Sequence, residues 1–344
     1  MTRCQTGKSN GKERGVDKLI QELQKTVEIV TEELKKNTEW IERYAGYASE
    51  IQNTQDSIKN VRSCFYERGP LYVYSSISKA KNANNNFVIF DLRYRGQSVA
   101  TIKFHKNSLE LITDKKVDKY YGIKGGESFE WNSKKAEVFR GYFKKFPSRN
   151  DEEGKNEEHR FESALLTELS KKIGSEKILK NIQPVRLVKS RFQMPTPFRA
   201  SRQGRLAYAG HNGGGIDLLC RTTHGNKKTL NIFELKDEYE NPAHVLNQAV
   251  VYSAFIHRLL RTPEARSNDW WKLFGFKSVP DPSRPLVINA VVALPQDKKN
   301  DTSFKDIKID IDGGKLQLHY FYFSLSETDQ IESINTSLFK SGNP

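Results

Sequence analysis

Residues 213–252 read GGGIDLLCRTTHGNKKTLNIFELKDEYENPAHVLNQAVVY, and the reading of this stretch decides the fold. Two apolar runs flank the polar segment THGNKK at 223–228, which predicts a β-hairpin. Along Thr229–Lys236 the side chains alternate, so Glu234 and Lys236 share one face while Phe233 and Leu235 take the other. On the preceding strand Asp217 faces away from Ile216, Leu218 and Cys220. Two carboxylates and a lysine therefore converge at one end of a twisted hairpin.

That convergence has a chemical use. Mg²⁺ prefers oxygen ligands and takes only one or two carboxylates, leaving its other positions to water and substrate phosphate. Asp217 and Glu234 would supply the carboxylates and the Leu235 carbonyl a third oxygen. The cation would acidify a water and offset charge on a scissile phosphate. Lys236 would orient that water or lower its pKa.

The arrangement resembles the PD-(D/E)xK nuclease superfamily, and more narrowly its RecB-like members. Gly214-Gly215-Ile216-Asp217 fits the G-x-x-D element, Glu234-Leu235-Lys236 the (D/E)-x-K element, and Gln248 with Tyr252 the Q-x-x-x-Y element. Glu162, on the helix predicted over FESALLTELSKKI, matches the acidic residue of the first core helix. The resemblance covers roughly residues 155 to 300. It implies an αβββαβ restriction-endonuclease-like core and Mg²⁺-dependent cleavage of phosphodiester bonds, in DNA rather than RNA, with Mn²⁺ as a substitute ion. Asp217 and Glu234 would bind the cation and Glu162 would assist through water. Lys236 would be the catalytic lysine, Gln248 would position the backbone or the lysine, and Tyr252 would support it. The tripeptide alone selects little, because Glu33–Lys35, Asp114–Lys116, Glu153–Lys155, Asp297–Lys299 and Asp306–Lys308 repeat it. The strand before it and the Gln–Tyr pair after it single out 234–236.

Composition points the same way by a separate route. Lys and Arg number 56 against 42 Asp and Glu, a formal charge of +14, which favours a polyanionic partner. No apolar run is long enough to span a membrane, and the basic N-terminus lacks the apolar segment of a secretory signal. Cys4, Cys64 and Cys220 are scattered, fitting neither a disulfide framework nor a zinc site, so a reducing cytoplasmic setting is expected. There is no phosphate-binding G-x-x-x-x-G-K-[ST] loop, which excludes a fused motor of that class.

Taken in order, the chain divides into a helical segment (1–66), a small antiparallel β domain (67–146), a polar linker (147–156) and the nuclease-like domain (157–344). The whole is α+β with an α/β core. Val16, Ile20, Leu23, Val27, Val30 and Leu34 form a heptad-like seam, read either as a dimerising coiled coil, and hence a homodimer, or as a helical hairpin packed on its own domain. Strands are predicted at 87–94, 98–105 and 108–114, in a meander with one wet face. Arg93, Arg95 and Lys103, with Tyr94 and Phe104 among them, would make a nucleic-acid-recognising surface, or only a solvated face. A first core strand is expected over 184–189. A long basic loop then leads to Gly213, and its Arg191, Arg199, Arg202 and Arg205 would clamp phosphate or cover the site as a lid, the alternative being a disordered insertion. Asn241-Pro242 opens a helix through about Arg261, and 285–294 reads as a strand buried on both faces. A non-catalytic nucleic-acid-binding protein on the same scaffold is the alternative function, and an interaction protein built around the N-terminal helix a third.

Overall fold

The Leu23–Val27–Val30–Leu34 seam is buried in the first helix, α1 (Ser9–Lys36), against the chain itself. This is a computed structural model, and it describes residues 9–64, 71–75, 77, 88–105, 108–145, 157–172, 174, 177–187, 190–200, 206–224, 227–236, 242–296 and 302–339. The linker expected at 147–156 lies outside them. Helix α2 (Glu39–Cys64) follows closely and carries Trp40, Tyr44 and Tyr47 into the same core. Among the described residues no helical core stands apart. Both helices share one core with a long helix of the C-terminal half, and it is that helix rather than α2 that covers the seam of α1.

The next unit is a sheet built from β1 (Leu71–Ser75), β2 (Val88–Tyr94), β3 (Gln97–His105), β4 (Ser108–Thr113) and β5 (Ser128–Glu130), with helices α3 (Val117–Tyr121) and α4 (Lys134–Lys145). Its strands run antiparallel in the order β5-β4-β3-β2-β1. Phe90, Leu92, Ile102 and Leu111 face Phe139 and Phe143 of α4 in a core of their own.

The C-terminal half holds α5 (Glu157–Leu169), β6 (Ile182–Pro184), β7 (Arg191–Phe192), β8 (Met194–Pro195), β9 (Phe198–Ala200), β10 (Leu206–Tyr208), β11 (Gly215–Ile216), β12 (Leu218–His224) and β13 (Lys227–Leu235). After these come α6 (Pro242–Arg261), α7 (Ser267–Leu273), β14 (Leu286–Pro295), β15 (Lys308–Ile311), β16 (Gly314–Leu325) and β17 (Ile331–Thr336). The main sheet runs β15-β16-β14-β13-β12-β6, with β17 beside β16. Strands β13, β14 and β16 are parallel, and β12 and β6 continue the sheet antiparallel. The first core strand is Ile182–Pro184, just ahead of the expected 184–189, because these residues pair with Cys220–Thr222.

Alternation sorts the side chains into two layers. Leu219, Ile232, Ala290, Val292 and Leu318 pack under α6, α1, α2 and α7. Leu218, Phe233, Leu235, Val291 and Phe321 pack under α5. Among these apolar residues Asn231 and Asn289 stand opposite each other, and Asn289 donates its amide to Asn231 Oδ1 at 2.7 Å. Asn231 donates in turn to the Cys220 carbonyl at 3.2 Å, so this buried polar pair is hydrogen-bonded.

Strand β7 joins the two halves by pairing in parallel with β1. Leu71 and Val73 of β1 face the small domain's core while Tyr72 and Tyr74 face α5. The sheet face expected to be wet is thus covered where it meets the C-terminal half.

Candidate active site

Strands β12 and β13 pair through Leu218↔Phe233, and one further step along this antiparallel register sets Asp217 opposite Glu234. Both carboxylates lie on the α6 side of the sheet and are 8% and 2% exposed. Asp217 Oδ2 accepts the backbone N–H of Leu235 at 2.8 Å. Burial, and then repulsion from Glu234, drive the Asp217 carboxyl far above the usual range. Burial lifts Glu234 to about 7 against the pull of Lys236. The Lys236 amine stands 3.1 Å from Glu234 Oε1 and 3.1 Å from Glu158 Oε2. Burial works against its charge, but the carboxylates of Glu234, Asp217 and Glu158 prevail and hold it well above an ordinary lysine. It is a fixed cation at neutral pH.

The glycine run before Asp217 has a steric cause. A Cβ on Gly213 would meet the Thr196 carbonyl oxygen at 1.9 Å, and one on Gly214 would meet the Tyr252 hydroxyl at 2.6 Å. Ile216 and Gly215 pair with β8, so the segment carrying Asp217 threads between β8 and α6.

Helix α5 supplies two more carboxylates, Glu158 and Glu162, four residues apart on one helix face. The sequence reading singled out Glu162 and missed Glu158, although that spacing was the signal. Glu162 is 2% exposed and lies close enough to raise the Asp217 carboxyl. Arg93 Nη1 approaches its Oε1 at 3.9 Å and His159 Nδ1 its Oε2 at 3.5 Å. On α6, Tyr252 is 4% exposed, and burial followed by the charges of Glu234 and Asp217 raises its hydroxyl pKa. Gln248 lies one turn away but donates to the Ala200 carbonyl at 2.7 Å, tying α6 to β9 rather than holding the lysine.

The basic residues expected to face nucleic acid divide differently. Arg93 sits in the joint between the two halves, donating to Asp91 Oδ2 at 3.0 Å, with its guanidinium 4.2 Å from the centre of the Tyr74 ring. Arg95 pairs with Asp329 at 2.9 Å. Arg191 is 4% exposed, lies 3.6 Å from the Tyr72 ring centre and donates to Thr167 Oγ1. Alternation put Arg93 on the right face of β2, and the docking of that face on α5 removed it from solvent. Arg199 remains exposed, with Nε donating to the Asn212 carbonyl, and Lys103 stands across from Glu110 on the half-open face of β3. Arg202 and Arg205 lie outside the described residues, as does Asn241.

Among the described residues no three His, Cys, Asp or Glu side chains close into a metal cage. A magnesium ion needs none, since two carboxylates, a carbonyl and water satisfy it. Asp217, Glu234 and the Leu235 carbonyl would supply such an all-oxygen set. Glu234 Oε2 and Glu162 Oε1 are buried without a hydrogen-bond donor, as acceptors awaiting a cation would be. The crowded carboxyls also favour a positive ligand over a second negative charge. The residues fit a hard divalent cation.

Comparisons with protein-family models, with curated proteins and with solved structures return no match. No helix among the described residues is long and apolar enough to cross a membrane.

Proposed function

We propose that the chain is a Mg²⁺-dependent nuclease of the PD-(D/E)xK type, acting on DNA. The observation that carries this reading is the buried pairing of Asp217 with Glu234 across β12 and β13, with Lys236 3.1 Å from Glu234. With β7–β11 and α7 set aside as insertions, α5, β6, β12, β13, α6 and β14 follow the αβββαβ order expected of a restriction-endonuclease-like core, which supports it. So does the charge of +14, which suits a phosphate backbone.

Asp217, Glu234 and the Leu235 carbonyl would hold the cation, with Glu162 behind them through water. When bound, the cation supplies positive charge at the scissile phosphate and acidity to an attacking water. Lys236, kept protonated by its carboxylate neighbours, acts as a donor that orients the water and offsets charge at the reacting phosphate rather than as a base. Asp217 stays oriented through the Leu235 N–H, and Tyr252 with the close-packed Gly214 keeps its segment in place. A reducing cytoplasmic setting accords with the free, buried Cys220. Cutting both strands of a duplex would call for two copies of the site, and so for a homodimer on the substrate.

The test is incubation of purified protein with supercoiled plasmid and Mg²⁺ or Mn²⁺, beside Asp217→Ala, Lys236→Ala and an EDTA control. Nicked or linear product from the wild type alone supports the reading. Plasmid, single-stranded DNA and RNA that all bind yet stay intact would replace it with a non-catalytic binding scaffold.

A further inference from the structure

We propose that Arg93 is a positioning residue of the candidate active site, so that the small β domain completes the cation site rather than serving only as a recognition module. The inference rests on the cation-binding reading above. Glu162 belongs to α5, yet the arginine facing it comes from β2 of the other domain, 3.9 Å away. A carboxylate 2% exposed is costly unless a cation faces it. Among the described residues the other ionisable side chain paired with it is His159, which is 44% exposed.

Arg93 is itself held on several sides. Its Nε donates to Asp91 Oδ2 at 3.0 Å, and Asp91 Oδ1 accepts the Ser98 hydroxyl at 2.6 Å. Its Nη2 donates to Gln193 Oε1 at 3.4 Å, and its plane rests over the Tyr74 ring. Gln193 lies on the segment that threads past Gly215, two residues from Asp217. A planar guanidinium fixed at three points sets a direction that a flexible ammonium would not. That direction is toward Glu162 Oε1, the oxygen left without a hydrogen bond. Arg93 thus fixes the direction of the Glu162 carboxylate, which lies close enough to Asp217 to raise its pKa and can meet the water shell of a bound cation.

Domain docking is held separately, which makes the proposal testable. Asp329 pairs with both Arg95 and Arg160, and Gly96 lies directly against the His159 carbonyl. Asp329→Asn would loosen that joint without touching Glu162.

The experiment uses the full chain stripped with EDTA. Mn²⁺ binding is measured by titration calorimetry without nucleic acid, beside thermal midpoints. Arg93→Met is expected to weaken Mn²⁺ binding about 10- to 100-fold, the scale for groups that orient ligands. Arg93→Lys should fall between it and the wild type. Glu162→Gln should weaken binding similarly, and adding Arg93→Met to it should cost little more. Asp329→Asn should stay within about twofold of wild type. Wild-type affinity in Arg93→Met, or an equal loss in Asp329→Asn, would overturn the assignment. If Arg93→Met does not fold, Arg93→Lys with wild-type affinity would overturn it alone. Asp217→Asn that still binds Mn²⁺ normally would instead remove the cation-site reading on which this one stands.

Discussion

Asp217 Oδ2 takes the backbone N–H of Leu235 at 2.8 Å, so one candidate cation ligand is fastened to the strand that carries the other. An asparagine can keep that hydrogen bond while losing the charge. Asp217→Asn should therefore fold, with a thermal midpoint in EDTA no lower than wild type, because repulsion between buried carboxyls is relieved. Plasmid cleavage should fall by about 10³-fold or more, the scale of several kcal/mol of lost charge stabilisation. Midpoints and cleavage rates on one preparation check both halves of the expectation.

Lys236 should show effects of opposite sign on binding and turnover. Its amine competes with a cation for Glu234, at 3.1 Å. Lys236→Met should tighten Mn²⁺ binding, on the order of 10-fold for a neighbouring charge in a partly shielded site. Cleavage should nevertheless slow by about 10²- to 10⁴-fold, since the donor proposed for the reacting water is gone. Calorimetry alongside single-turnover kinetics separates the two. Equal losses in both would remove the role given to the lysine.

Gly214 and Tyr252 should be coupled in stability. A methyl on Gly214 would stand 2.6 Å from the Tyr252 hydroxyl. Gly214→Ala should cost about 1–3 kcal/mol in urea unfolding, the ordinary price of an overpacked contact. Tyr252→Phe removes the clashing oxygen and should recover most of that loss in the double variant.

His257 should govern part of the acid sensitivity. It is 1% exposed, and burial first, then Arg261, push its pKa from 6.5 down to about 4. The unfolded chain therefore binds a proton near pH 6.5 that the folded chain refuses until about 4, so stability is lost as the pH falls through that window. Between pH 6.5 and 5 the loss from this group is about 2 kcal/mol. His257→Gln should flatten the profile there while the wild type slopes, as urea midpoints at several pH values would show.

Leu34 tests whether the N-terminal helices belong to the main core. It is 3% exposed in the core that also holds Phe255 and Leu259 of α6. Leu34→Ala should destabilise the C-terminal half by about 2–5 kcal/mol, in the same unfolding transition. A separate early transition would make the helices an independent unit.

What the sequence made legible was local. Alternation along 229–236 placed Glu234 with Lys236, and Pro242 with the following apolar spacing placed α6 at Pro242–Arg261. The seam of α1 was also visible, but not its cover, because packing on α6 joins residues more than 200 positions apart. Helix α4 was missed although Ala136, Phe139 and Phe143 recur at helical spacing, because Gly141 and six charged residues mask it in a short segment. The pairing of β1 with β7 is two residues long and non-local, so nothing in either segment announced it. The docking that goes with it took Arg93 and Arg191 out of solvent, while Arg199 stays exposed.

The buried Asn231–Asn289 pair sets something more than cohesion. β-strands that pair through apolar contacts alone can slip, and a slip of one residue turns every side chain to the opposite face. Such a slip between β13 and β14 would leave the Asn289 amide N–H and the Asn231 side-chain oxygen without each other among hydrocarbon, which favours the correct alignment. Glu234 lies three residues beyond Asn231, about 10 Å along the strand. The amide pair therefore acts as an alignment dowel for a carboxylate it never touches. A substitution there would spoil the chemistry by misplacing every ligand on the strand while leaving all of them present.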